Sequence, residues 1–213
     1  METVSLLGFL TVIDHPRSGF VGGLLVLNPV GRPVEFHCTA SLKPNRAQEI
    51  LFGSALEPYL LGEQIAQALV RKSQANIGFL FTDLPGVLAL QDFIEQPIIY
   101  IPKPDSDSNA VSEHFESGKK NDLFSHSVRQ AETQTETQVE TRSERYQPLR
   151  SISGLSVSRW KETRIADLPL WIPDDRGMDI YAISEKLTDY TRSVNFSEPF
   201  TRIRLALDEA LKN

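Results

Sequence analysis

Residues 4–40 decide the fold and read VSLLGFLTVIDHPRSGFVGGLLVLNPVGRPVEFHCTA. They contain three apolar, β-branched runs, Val4–Ile13, Phe20–Leu27 and Val34–Ala40. Two short turns rich in Pro, Gly and Asn separate these runs, and such turns are typical of hairpin connections. Consecutive strands joined by short turns predict an antiparallel three-strand meander.

The second run contains a pair of glycines and the third run alternates apolar with polar residues, and each pattern predicts a structural feature. Gly22 and Gly23 lie inside the second run, which indicates a bulge or a close backbone approach. In the third run Val34, Phe36 and Cys38 alternate with polar residues. This period of two predicts a half-buried strand with those three side chains facing the core.

Helical signals follow the meander and alternate with two further strands. A short helix is expected over residues 44–52, and a longer one runs from the capping residue Ser54 to about Lys72. Ile77–Phe81 has the continuous apolar character of an interior strand. A helix to about Ile94 and a strand over 97–101 complete the series. The fold class is therefore α/β, with a mixed sheet in which the meander is followed by helix, strand, helix and strand.

Composition changes abruptly at Lys103. Residues 103–147 are mostly Ser, Thr, Gln, Asn, Glu and Asp, which bury too little apolar surface to offset the entropy of ordering the chain. The sequence thus predicts three parts: an α/β domain over 1–102, a disordered polar linker over 103–147, and a small, mainly helical C-terminal docking segment over 148–213.

The C-terminal segment has apolar side chains that must be covered. Trp171 lies in a run held extended by two prolines, and two helical stripes follow it. The segment is too short to supply a large core of its own, so we expect it to dock on the first domain or on another protein. The residues expected to make that contact are Trp171, Ile180, Ile183, Leu187, Phe200, Ile203 and Leu207.

Charge and cysteine content restrict the partners and the compartment. The formal net charge is −6, and no segment has the basic excess typical of a sequence-independent nucleic-acid binder. Cys38 is the single cysteine, so an intrachain disulfide is impossible. The acidic first residues lack the basic start of a secretory signal, and no apolar run is long enough to cross a bilayer. We expect a cytoplasmic protein without a membrane partner.

The order of elements in residues 4–101 resembles the ribonuclease H-like fold. In that family, carboxylates on the first strand, on the first helix and at the end of the fourth strand bind divalent metals, and a fourth carboxylate lies on a helix after the last strand. The resemblance implies Asp14, Glu49 and Asp83 as candidate ligands of Mg²⁺. The stretch GGLLVLNP at 22–29 also resembles a family of uncharacterised bacterial proteins, which implies no activity.

Each of these acids also has a structural explanation. Asp83 precedes Leu84-Pro85 and is the expected N-cap of a helix, and Asp14 is suited to bonding its own turn. Glu49 has the position of a solvated helix residue. Glu63 is a further candidate, because ordinary helical spacing places it among apolar side chains, where a carboxylate needs a partner.

These observations support two hypotheses about function. No phosphate-binding glycine loop, nucleophile elbow or zinc motif occurs, which favours a non-catalytic interaction module with a tethered docking segment and neither cofactor nor metal. The alternative is a ribonuclease H-like nuclease that depends on a divalent metal, Mg²⁺, or a degenerate relative of such a nuclease. In that case Asp14, Glu49, Glu63 and Asp83 are the candidate catalytic residues.

Overall fold

A seven-stranded mixed sheet organises the residues that the computed structural model describes, which are 5–103, 160–165, 168–173, 180–191 and 194–212. The strand order is β3-β2-β1-β4-β5-β7-β6. The strands span Leu6–His15 (β1), Gly19–Leu27 (β2), Pro33–Cys38 (β3), Ile77–Thr82 (β4), Ile98–Tyr100 (β5), Trp160–Ile165 (β6) and Leu168–Pro173 (β7).

Helices cover both faces of this sheet. The α-helices span Arg46–Phe52 (α1), Leu56–Pro58 (α2), Gln67–Lys72 (α3), Ile180–Thr191 (α4) and Glu198–Ala210 (α5). A π-helix at Tyr59–Ala66 joins α2 to α3, and 3-10 helices span Gly53–Ala55 and Pro85–Asp92. None of the helices in these described ranges has the length and apolarity needed to cross a membrane.

The first five strands confirm the predicted fold class. β1, β2 and β3 pair antiparallel through tight turns, and β4 and β5 then add parallel to β1. Parallel pairing needs a crossover, which the helices between β3 and β4 supply. The chain is therefore α/β, with the predicted meander followed by alternating helices and strands.

Two adjacent glycines of β2 let a helix approach on each face of the sheet. A Cβ atom on Gly22 would lie 2.2 Å from Cγ2 of Ile65 in the π-helix, and one on Gly23 would lie 2.4 Å from Cγ2 of Ile203 in α5. Neighbouring strand residues point to opposite faces, so each glycine admits a different helix. The sequence predicts a bulge or a close backbone approach at this point, but the atoms that lie close to both glycines belong to side chains.

The third strand differs from its prediction. Val34 and Phe36 are 51% and 42% exposed, and Cys38 is exposed, whereas Glu35 and His37 are half-buried. β3 forms one edge of the sheet and is contacted by α3, whereas α5 packs on β1 and β2. The expectation that the apolar side chains of this strand face the core is therefore wrong.

The C-terminal residues extend the sheet and cover one of its faces. β7 pairs antiparallel with β5 at Tyr100 and Trp171, and β6 pairs with β7. The described residues within 1–102 and 148–213 belong to one compact unit. Among the side chains expected to dock, Trp171 and Ile180 are partly buried and the others are buried, namely Ile183, Leu187, Phe200, Ile203 and Leu207.

Residues 104–147 of the predicted linker lie outside the described residues. The division of the chain into domain, linker and docking segment therefore stays a prediction.

We expect Leu207→Ala to lower the free energy of unfolding by about 2–5 kcal/mol, because Leu207 is fully buried between α5 and the sheet. Leu205→Ala on the same helix is the matched control, since Leu205 is 64% exposed and its truncation should change stability by less than about 0.5 kcal/mol. Urea denaturation of both variants measures the difference. Equal stabilities would contradict the packing of α5 on the sheet.

Candidate functional site

Two polar side chains meet where β1 and β4 run side by side. In this parallel pair Leu10 lies opposite Thr82, so the next residues, Thr11 and Asp83, are neighbours. Thr11 continues the face of Leu7 and Phe9, and Asp83 continues the face of Phe79 and Phe81. These aromatic and aliphatic side chains belong to the core cluster beneath α5. Thr11 and Asp83 therefore face the C-terminal helix.

Arg204 of α5 completes the group. The hydroxyl of Thr11 donates to Oδ1 of Asp83 at 2.7 Å and accepts from Nη2 of Arg204 at 3.1 Å. The same Nη2 donates to Oδ2 of Asp83, forming an ion pair. Thr11 is fully buried, and the side chain of Asp83 is 4% exposed while that of Arg204 is 29% exposed. We call Thr11, Asp83 and Arg204 the threonine–aspartate–arginine site.

The negative charge of Asp83 also affects a buried tyrosine on β5. Burial raises the pKa of Tyr100 to about 12, and the charge of Asp83 contributes to the same shift as the smaller cause. The phenol therefore stays protonated and neutral at physiological pH. Tyr100 therefore adds no charge next to Asp83, and the ion pair with Arg204 is what balances the charge of the carboxylate.

Asp83 does not have the capping role that its sequence context predicts. The helix after β4 is a 3-10 helix with Leu84 at the N-cap position, and no side chain caps it. Thr82 instead bonds the local turn, since its hydroxyl accepts from the backbone N–H of Leu84 at 3.2 Å. The carboxylate of Asp83 is left to bind Thr11 and Arg204 across the sheet.

The other predicted acids lie elsewhere. Asp14 is on the opposite face of β1, because it continues the series of Leu10 and Val12 in the other core cluster. Glu49 lies on α1, where it pairs with Arg46 at 2.8 Å near the surface. Within the described ranges, no three His, Cys, Asp or Glu side chains are grouped so that they could hold a metal ion.

Glu63 lies in the π-helix and is half-buried. At the end of this helix the N–H of Gln67 bonds the carbonyl of Gly62, five residues earlier. The 3.6-residue spacing used to place Glu63 on an apolar face does not apply to such a turn. Its helix also packs on the sheet face opposite to Asp83. The structure does not bring Glu63 to the threonine–aspartate–arginine site.

The threonine–aspartate–arginine site does not fit the Mg²⁺ ion that the ribonuclease H-like resemblance implies. Mg²⁺ binds oxygen ligands in near-octahedral geometry, usually with one or two carboxylates. Here one carboxylate and one hydroxyl are available, and both already bond a guanidinium. The resemblance expects a carboxylate on the first strand and another on a helix after the last strand. The residues that β1 and α5 contribute to this site, Thr11 and Arg204, are not carboxylates.

Sequence reasoning missed both Thr11 and Arg204, although each left a signal. Thr11 interrupts the apolar phase of β1 at a position that faces the core, and a buried polar group needs a partner. Arg204 lies between Ile203 and Leu207, at the border of the apolar stripe of α5. A charged residue there can reach over the packed face of its helix.

No protein-family model and no curated protein matches the chain. Solved structures of endonuclease V are similar to it. Human endonuclease V is 17% identical, with 98% of this chain and 85% of that one covered, at a TM-score of 0.46. Another similar structure is endonuclease V of Ciona intestinalis in complex with a 23mer DNA containing an inosine followed by a ribo-adenosine. It is 11% identical, with 89% of this chain and 78% of that one covered, at a TM-score of 0.41.

These comparisons contradict the first hypothesis, a non-catalytic interaction module. The similar structures named here are of endonuclease V, which differs from the class that this hypothesis names. What the site itself does follows from its own side chains.

We expect Arg204→Met to lower the free energy of unfolding by about 1–3 kcal/mol, because it leaves the buried carboxylate of Asp83 without its cation. Arg202→Met is the control, since Arg202 pairs with Glu198 at 2.7 Å on the exposed side of the same helix and should contribute less than about 1 kcal/mol. Chemical denaturation at neutral pH compares the two. Similar small losses for both would contradict a structural role of the buried pair.

Proposed function

We propose that the chain is a degenerate relative of the ribonuclease H-like nucleases, in which an internal guanidinium replaces the divalent metal. The observation that carries the proposal is the contact of Arg204 with both Asp83 and Thr11. One carboxylate remains at the end of the fourth strand, where the resemblance expects one. The cation beside it comes from the protein.

Charge balance supports this assignment. Asp83 and Arg204 neutralise each other in a site that is largely out of solvent. A divalent cation would have to displace the guanidinium of Arg204, which would then lose its ion pair with Asp83 and its hydrogen bonds. Thr11 offers a neutral hydroxyl where a second carboxylate would add binding energy. The site therefore favours the arginine over Mg²⁺.

Nucleic acid is the partner that this proposal assigns to the site. Arg204 uses Nη2 for both of its bonds to Thr11 and Asp83, so the other N–H groups of a 29% exposed side chain can donate to a phosphate oxygen. Asp83 holds the guanidinium in place and reduces its freedom before binding. Such a contact positions a backbone and carries no base specificity.

Two assays on the full chain test the proposal. Single- and double-stranded DNA and RNA are incubated with the protein in Mg²⁺ or Mn²⁺, and we expect no metal-dependent cleavage. Fluorescence anisotropy should detect salt-dependent binding. Arg204→Met should weaken the affinity and reduce the slope of its salt dependence by about 1. Arg202→Met should leave the affinity closer to that of the unchanged protein.

Two outcomes would overturn it. Metal-dependent cleavage that disappears in Asp83→Asn would show that the carboxylate serves a metal after all. Binding that Arg204→Met and Arg202→Met weaken equally, or no binding, would remove nucleic acid as the partner of this site.

A further inference from the structure

The outer edge of β3 carries an apolar surface that the protomer itself leaves exposed. Val34, Phe36 and Cys38 of this edge strand are all exposed. Among the described residues β3 pairs with β2 alone, so its other edge has no partner strand. An exposed strand edge flanked by apolar side chains is a template for pairing with another chain.

The hydrogen-bonding pattern shows which backbone groups face outward. The N–H of Thr39 bonds the carbonyl of Gly22 at 3.0 Å, so Thr39 directs its polar groups toward β2. These groups alternate along an antiparallel strand. Glu35 and His37 therefore bond inward, and Phe36 and Cys38 present their N–H and C=O groups outward. The register of β2 and β3 shifts between Val26 and Leu27, so Val34 lies at an irregularity of the ladder.

This segment is complementary to itself. When two copies of β3 run antiparallel about a two-fold axis at Phe36, each Phe36 faces the other and Val34 faces Cys38 of the second copy. Glu35 then faces His37 of the second copy. Apolar side chains thus meet apolar ones, and a carboxylate meets an imidazole. The outward N–H and C=O groups at Phe36 fall in register for mutual hydrogen bonds.

Contacts within the protomer order the strand for this pairing. The carboxylate of Glu35 accepts from Ser73 Oγ at 2.7 Å and lies 2.9 Å from His37 Nε2. Ser73 follows α3, so this contact fixes β3 against the helix layer. The edge is therefore presented as an ordered strand, which reduces the entropy cost of adding another.

We propose that β3 is a homodimer interface in which two copies of the chain join edge to edge and form one continuous sheet. The two-fold axis passes beside Phe36, and the same patch serves on both copies. Strand addition of this kind takes its affinity from backbone hydrogen bonds and its specificity from the alternating side chains. This interface on β3 is separate from the threonine–aspartate–arginine site, which lies on β1, at the end of β4 and on α5.

Sedimentation velocity of the full chain tests the association. We expect a dimer that becomes a monomer in Phe36→Asp and in Val34→Asp. In Phe36→Asp two carboxylates face each other across the axis, and in Val34→Asp a carboxylate lies opposite Cys38 of the second copy. Val30→Asp is the control, because Val30 is 63% exposed in the turn before β3 and lies off the paired edge. Cys38→Ser should remain dimeric, which separates strand pairing from a disulfide.

Oxidative cross-linking tests the register in the Cys38→Ser background. Phe36→Cys places two thiols across the axis, with Cα atoms about 5.5 Å apart, within the range a disulfide can bridge. Val34→Cys places them about 14 Å apart and should not cross-link. A monomeric unchanged protein, a dimer that both Asp variants at β3 leave intact, or cross-linking through Val34→Cys alone would overturn the proposal.

Discussion

The bond of Arg204 to Asp83 connects the C-terminal helix to the centre of the sheet. Asp83 ends a buried strand and Thr11 lies beside it on β1, so both would be costly to bury without a partner. Arg204 satisfies them from α5, which packs on the same face through Ile203 and Leu207. The position of the helix, the charge balance of the buried ion pair and the chemistry of the site all depend on this contact.

The glycines of β2 make that contact possible. Gly23 lets Ile203 lie directly against the strand, which brings α5 close enough for Arg204 to reach Asp83. Gly22 has the same function for Ile65 on the other face. The outermost strand β3 lies beyond this closely covered part of the sheet, and its side chains Val34 and Phe36 are exposed.

Local patterns sufficed to predict the first five strands, since alternation and turn residues act between near neighbours. The same patterns placed Val34 and Phe36 toward the core, because alternation reports a difference between two faces and not which face a helix covers. The partners of Asp83 were not predictable in this way. Arg204 is 121 positions away, and only the packing of α5 brings it to the strand. Asp14 does not join Asp83, because residue parity assigns it to the opposite face of β1.

In the proposed site a guanidinium occupies the place of a metal beside Asp83. An anomalous difference map from crystals of the full chain grown with Mn²⁺ measures this directly. We expect Arg204 bonded to Asp83 and Thr11, with no anomalous peak within coordination distance of the carboxylate. A manganese peak bound to Asp83, with Arg204 displaced, would contradict it.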